Sequence, residues 1–464
     1  MKRLKLTLLI AVVLAPASPL FAAQSDNSTP NSISDLKAEI SQMRAEYEQR
    51  INQLEQRLAD NESSTTQLND TIKNTPPAAP APIANTASSK NSFNPAISMV
   101  LNGGFNQYQN NPENYALDGF ALQGEGELGK EGFSLGESEL TLSANIDQSL
   151  YGQATVALHE HEGETEVEIE EAFIESLGLG NGVTARAGRF FAPIGYLNQR
   201  HAHAWNFADA PLIYRGLFGN QLSTDGLKLS YVLPTDQLIE LGGTVGAGDS
   251  YPGGGDHNGI GDWLIYAKTG GDIGIESSWE ASVSHWESNP ENREYSGGHS
   301  HGAEEATSAL FNGDTDISNI SLVYKWAKNG NFRQQNFSLI GEYFMLNDNG
   351  NITHGDDEYA NYDGKQYGGY VEGVYQFNPQ WRSGLRYDWV GSDHKASDTE
   401  LLADAGLDGN YNNPQRSSVM VEYLPSEFSR IRAQVNYDQS YSDDDLQLLL
   451  QYTVSLGAHG AHSY

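Results

Sequence analysis

Apolar and polar residues alternate through the last three-quarters of the chain, in segments short enough to be strands, with turn residues after each. In the final segment Leu446, Leu448, Leu450, Tyr452, Val454 and Leu456 share one side, while Gln447, Gln451, Thr453 and Ser455 share the other. A period of two with an apolar outer face and a polar inner face suits a strand that has lipid on one side and water on the other. About sixteen such segments can be read, the first over 97–109 and the last over 445–456, with 316–326, 334–346, 366–378 and 380–390 among those between. Short turns such as Gly180-Asn181-Gly182 and Pro425-Ser426 alternate with long connections. The expectation is an all-β fold, a 16-stranded antiparallel transmembrane β-barrel over residues 94–464, with its long loops facing outward. Alternation also puts Arg382, Arg386 and Asp388 of one strand, and Arg430 and Arg432 of another, on the pore-lining side.

Ahead of the barrel the period changes. Ile33, Leu36, Ile40, Met43, Tyr47, Ile51, Leu54 and Leu58 recur at spacings of three and four, the seam of an α-helical coiled coil within residues 24–74. A lone helix of that kind is marginal in water and needs copies of itself. Residues 75–93 form a Pro/Ala-rich linker without a core. Residues 1–23 join Lys2, Arg3 and Lys5 to an apolar run too short to cross a bilayer and then to small residues, the pattern of a signal peptide.

Composition agrees with this outline and narrows it. The chain of 464 residues carries a net charge of −34, 48 glycines, 24 tyrosines and no cysteine. Acidic loops, glycine-rich turns and aromatic girdles account for the first three. The missing cysteine removes disulfides and thiolate metal sites. No run reaches about 18 apolar residues, which excludes a helical membrane protein. The expected place is the outer membrane of a Gram-negative bacterium, with the N-terminal segment in the periplasm. The expected partners are copies of the chain in a homotrimer, outer-membrane lipid and lipopolysaccharide, and peptidoglycan through the coil; so acidic a chain is not expected to bind nucleic acid.

The third outward loop, 191–222, reads FFAPIGYLNQRHAHAWNFADAPLIYRGLFGNQL from Phe190 on. So many Phe, Trp, Tyr and Leu residues would expose a large apolar patch if the loop stood in water. Folding it into the barrel hides them and narrows the pore, which brings Arg200, His201, His203, Asp209 and Arg215 to the constriction. The competing expectation is a latch over a neighbouring subunit.

Twelve histidines are present, and six of them form His-x-His pairs at 159/161, 201/203 and 299/301. Residues i and i+2 of an extended chain share a face, so His159 with His161, His201 with His203, and His299 with His301 could each point at one ion. Imidazole beside carboxylate, without thiolate, favours Zn²⁺ and similar divalent ions. Transient Zn²⁺ binding in outward loops is therefore expected, with no required cofactor; the competing expectation is that these are solvated loop residues. The acidic total favours cations at the mouth, while the inward arginines leave the sign of selectivity open. No GxSxG, HExxH or phosphate loop is present, and an enzyme is not expected.

The stretch ARAGRFFAPIGYLNQRHAHAW, together with the closing LLLQYTVSLGAHGAHSY, resembles the porins related to the phosphate-selective group. The likeness covers residues 94–464, and its most specific piece runs from Arg186 to Gly195. It implies a trimer of sixteen-stranded barrels with a narrowed channel. It does not imply phosphate selectivity, because anion-selective members rely on many inward Arg and Lys. The histidine-bearing loops are similar to outer-membrane proteins suspected of zinc uptake, but no plug domain is readable and the chain is too short for about twenty-two strands. The reading is a porin for small hydrophilic solutes that favours divalent cations such as zinc. The alternatives are a general or anion-selective porin and a structural envelope tether.

Overall fold

The computed structural model describes residues 95–123, 126–161, 164–254, 259–295, 309–355, 358–409, 413–440 and 444–457. The signal peptide, coiled coil and linker of residues 1–93 lie outside these, as do His257, His299, His301, His459 and His462.

The barrel strands are β1 (Ala96–Gln107), β2 (Gly132–Leu135 and, after a break, Ser138–Asn145), β3 (Leu150–His161) and β4 (Glu164–Ser176). Then come β5 (Val183–Phe191), β6 (Ser223–Val232), β7 (Leu238–Gly246), β8 (Asp262–Ile273) and β9 (Ser277–Ser288, resuming at Arg293–Tyr295). The last seven are β10 (Ala309–Ala327), β11 (Asn336–His354), β12 (Glu358–Asn378), β13 (Trp381–Ala396), β14 (Gln415–Ser426), β15 (Ser429–Asp438) and β16 (Asp445–Gly457). Each strand pairs antiparallel with the next, and β16 pairs back onto β1, with Ser98 opposite Gly457 and Gln107 opposite Leu448. Closure leaves no open edge, which is the condition for a sheet to sit in hydrocarbon. This is the closed sixteen-stranded barrel that the alternation predicts.

The two faces separate as expected. On β16, Leu446, Leu450, Tyr452 and Leu456 are exposed, while Gln447 and Thr453 are buried. Trp381, Leu385, Tyr387, Ile431, Val435 and Tyr437 likewise face outward. Two features depart from the sequence reading. Strands β10 to β13 extend well past the predicted 316–326, 334–346, 366–378 and 380–390: polar runs such as Asn347-Asp348-Asn349-Gly350-Asn351 mask the alternation there, although Phe311, Ile352, Ala360 and Tyr362 turn inward into a second apolar core with Leu401, Leu402 and Leu407. The inner faces of β10 and β11 are also partly apolar, with Ile317, Ile340, Phe344 and Leu346 buried. They form a core inside the barrel against a segment that enters the lumen.

The outer wall is not uniform. From Leu140 through Leu229 its exposed large residues are aliphatic, among them Leu140, Leu142, Val167, Ile169, Ile174 and Leu227. On β11 to β16 the same face carries Tyr343, Tyr375, Phe377, Trp381, Tyr387, Tyr437 and Tyr452. Interfacial aromatics therefore line one sector and reach only the margins of the other, where Phe133 and Tyr231 are exposed.

Candidate functional site: the lumen and its inserted loop

The segment between β5 and β6 lies inside the barrel. Its short helix α1 (Leu212–Phe218) is buried at every residue. Leu212, Ile213, Tyr214, Leu217 and Phe218 pack with Leu117, Phe120, Phe344 and Tyr370. At about 1.5–3 kcal/mol for each large apolar side chain, those five alone favour insertion by on the order of 10 kcal/mol. Gly219 ends α1 in the left-handed region, with φ 59°, and its N–H caps the last turn.

Three polar fastenings hold the loop. At its base Asn198 donates from Nδ2 to the Ala192 and Leu222 carbonyls, both at 2.8 Å, so it ties the two ends together. Next, the Glu342 carboxylate of β11 accepts from the Tyr196 and Leu197 N–H groups, each at 2.9 Å, and from Tyr370 Oη at 2.7 Å, Ser321 Oγ at 3.0 Å and Tyr214 Oη at 3.1 Å. Gly195 makes that approach possible. Its φ is +69°, and a Cβ there would collide with the Glu342 carboxylate and lie 2.7 Å from Tyr214 Oη.

The third fastening is ionic. Asp209 Oδ1 meets Arg386 Nη2 at 2.6 Å, and its Oδ2 meets Arg416 Nη1 at 2.9 Å and Arg215 Nη2 at 3.6 Å. Gln434 and Asn436 of β15 donate to the same carboxylate at 2.7 and 3.0 Å. Asp388 binds both guanidiniums from the wall and accepts from the Leu212 N–H at 3.2 Å, so it caps a helix whose own cap residue, Pro211, supplies no side-chain bond. Burial works against the charge of Asp209, but Arg416, Arg386 and Arg215 outweigh it and hold the carboxyl below the ordinary aspartate value.

Arg382, Arg386, Asp388, Arg430 and Arg432 have their side chains on the lumen side, where most meet the loop rather than open water. Arg432 pairs with Glu422 at 2.8 Å and donates to the Trp205 carbonyl. Arg430 donates to the His203 carbonyl, and Arg382 pairs with Glu422 at 2.7 Å. Of the residues expected at the constriction, Asp209 and Arg215 belong to the ionic fastening, and Nε and Nη1 of Arg215 have no hydrogen-bond partner among the described residues. Arg200 stacks on Tyr196 with its guanidinium 3.9 Å from the ring centre. It also borders a cavity of about 590 Å³ shared with Lys268, Glu280, Lys325 and, at the short-turn end, Asp236 and Asp272.

His201 and His203 lie against β2 to β4. The β3–β4 ladder shifts register there: Glu171 faces Thr155 and Ile169 faces Val156, so Glu170 is the extra residue of a β-bulge. The bulge lets both Glu170 and Glu171 reach His201. Nδ1 of His201 is 3.1 Å from Glu170 Oε2 and 3.1 Å from Glu139 Oε2, and Nε2 is 3.1 Å from Glu171 Oε2. His203 Nδ1 binds Oε1 of the same Glu139, and the two imidazoles stack at 5.6 Å. Glu139 is 2% exposed, whereas the His201 side chain keeps 20%, so the group borders accessible space. Of the other histidines described, His159 Nε2 lies 3.4 Å from Glu166, and His161 is described by its backbone alone. At the mouth, His354 Nδ1 lies 3.0 Å from Glu358 and 3.3 Å from Asp404.

Sequence reasoning did not single out Glu139, Glu342 or Arg416, whereas alternation along 428–438 already turns Gln434 and Asn436 inward. Their inward positions follow from alternation, but which inward residue meets the loop depends on its path.

No protein-family model matches the chain. An uncharacterized protein of Aquifex aeolicus (strain VF5) is 26% identical over 406 residues, 81% of each chain. Solved structures similar to it include the anion-selective porin from Comamonas acidovorans, at 11% identity and TM-score 0.46, over 78% of this chain and 99% of that one. The outer membrane channel DcaP of Acinetobacter baumannii gives 13% and 0.46, over 78% and 97%. The trimer form of OmpT, an outer membrane protein of Vibrio cholerae, gives 11% and 0.46, over 78% and 99%.

Proposed function

We propose that the chain is an outer-membrane porin which passes small hydrophilic solutes by diffusion and favours divalent cations such as Zn²⁺. The observation that carries this reading is a closed sixteen-stranded barrel, apolar outside, whose ionised interior is narrowed by its own inserted loop. A lipid-facing exterior and a charged interior suit passage of polar solutes and give a water-soluble protein no advantage. Preference for cations is supported by the net charge of −34 and by carboxylates grouped around the loop's histidines. Assembly as a homotrimer is supported by the aliphatic sector of the wall, since a face covered by another copy needs no interfacial aromatics. The N-terminal coiled coil would then stand in the periplasm.

Reconstitution in planar bilayers tests the reading. The expected result is stepwise conductance, a reversal potential displaced toward cations in a salt gradient, and a change in current at micromolar Zn²⁺. Membranes that stay silent would overturn the porin reading, and a clear anion preference untouched by zinc would overturn the cation preference.

A further inference from the structure

We infer that Glu139, Glu170 and His201 form a divalent-cation site on the lumen wall, for an ion of borderline softness such as Zn²⁺, with Glu171 and His203 as positioning residues. The inference rests on the porin reading only for the ion's route to the site.

The donor atoms lie near the spacing such an ion requires. Metal–ligand bonds of about 2.0–2.2 Å in tetrahedral geometry place neighbouring donors roughly 3.3–3.6 Å apart. His201 Nδ1 lies 3.1 Å from one oxygen of Glu139 and 3.1 Å from one of Glu170, and the three donor atoms all fall within 4.8 Å of one another. Small movements would admit the ion. One nitrogen and two carboxylate oxygens suit Zn²⁺ and its first-row neighbours better than Mg²⁺ or Ca²⁺, which take oxygen throughout. Three protein donors leave a coordination position for water, as an exchangeable site needs.

A second, separate feature supports the assignment. A ligating imidazole usually gives its other N–H to a carboxylate, which fixes the tautomer and turns the free nitrogen toward the metal. Glu171 Oε2 stands 3.1 Å from His201 Nε2, and accepting its N–H would leave the Nδ1 lone pair for an ion shared with the Glu139 and Glu170 oxygens. His203 plays the matching part for Glu139 by binding the oxygen that His201 does not face. The two histidines therefore do not ligate one ion side by side: one binds it, and the other orients a ligand. The arrangement depends on the bulge at Glu170, because a regular ladder would turn one of the two neighbouring glutamates toward lipid.

The test is calorimetric titration of the full chain in detergent with Zn²⁺ alone, beside the bilayer measurement on the same preparation. Glu170→Gln and His201→Gln should each remove one equivalent of zinc. Glu171→Gln and His203→Gln should keep the stoichiometry and weaken the affinity of that equivalent by about 10–100-fold. Lys395→Gln, on an exposed side chain, should change neither. Unchanged stoichiometry in Glu170→Gln and His201→Gln would overturn the site even if the barrel conducts. Loss of the equivalent in Glu171→Gln would overturn the division between ligand and positioning residue. Intact zinc binding by a barrel that does not conduct would support the site while overturning the porin reading, so the two failures are separable.

Discussion

Where the inserted loop meets β13 to β15, it offers Asp209 to fixed positive charges: Arg386, Arg416 and Arg215 surround it, and Asp388 balances them from the wall. Where the same loop meets β2 to β4, the charges are reversed. Three carboxylates belong to the strands, and the loop brings only imidazoles; Arg186, 4.0 Å from Glu171 and closer to Glu175 at 2.7 Å, touches the group from one side. Both regions are buried, ionic and fastened to one segment. The first is neutralised by guanidiniums, which hold their charge at any ordinary pH and cannot bind a metal. The second relies on groups that exchange protons and ions. The contrast separates an anchor from an exchange point, even though the residue types on the two walls overlap.

Breaking the anchor should have the largest effect. Asp209→Ala leaves three guanidiniums buried, with Asp388 still paired to Arg386 and Arg416 but not to Arg215, a loss of about 3–5 kcal/mol. The loop should loosen, single-channel current should rise and become noisy, and the folded band on unheated gels should convert at lower temperature. A smaller effect is expected from Gly195→Ala, which forces a side chain into a left-handed backbone against Glu342, a strain of about 1–3 kcal/mol. It should lower thermal stability and leave zinc stoichiometry unchanged, so it sharpens the comparison by disturbing the loop away from both regions.

The number of strands was legible because an apolar face toward lipid repeats along the chain, and the loop's insertion because Leu212, Ile213, Tyr214, Leu217 and Phe218 cannot remain in water. The heights of β10 to β13 were not, since polar runs such as Asn347-Asp348-Asn349-Gly350-Asn351 mask the alternation there. The cluster around His201 was half legible. The histidines announce themselves by spacing, but Glu170 and Glu171 read as ordinary neighbours on a strand, because a bulge inserts one residue without a composition of its own. Glu139 is hidden further, being 62 residues before the histidine it meets.

Selectivity probes the space beside the loop. Lys268→Glu together with Lys325→Glu reverses two charges in the cavity that Arg200 borders and should shift the permeability ratio toward cations by about two-fold or more. An unchanged reversal potential would place the conducting path elsewhere. The smallest effect is that of mild acid on the anchor. The folded-state pKa of Asp209 lies below its unfolded value of about 3.9, so its stabilising contribution is present above that pH and is lost only as pH falls through the lower, folded value. Conductance noise from loop release should therefore stay flat between pH 7 and 5 in the parent chain, as measured by single-channel recording.

The strands that follow Ala309 are 16 to 21 residues long until β13 ends, whereas β5 has nine. At about 3.3 Å per residue and a tilt near 40°, the taller strands stand roughly 40–53 Å high and the shorter about 23 Å, close to the apolar band of such barrels. The rim is thus a slope. Its sill lies at β5, next to the strand that turns Glu170 and Glu171 toward His201, and its parapet stands at β10 to β13.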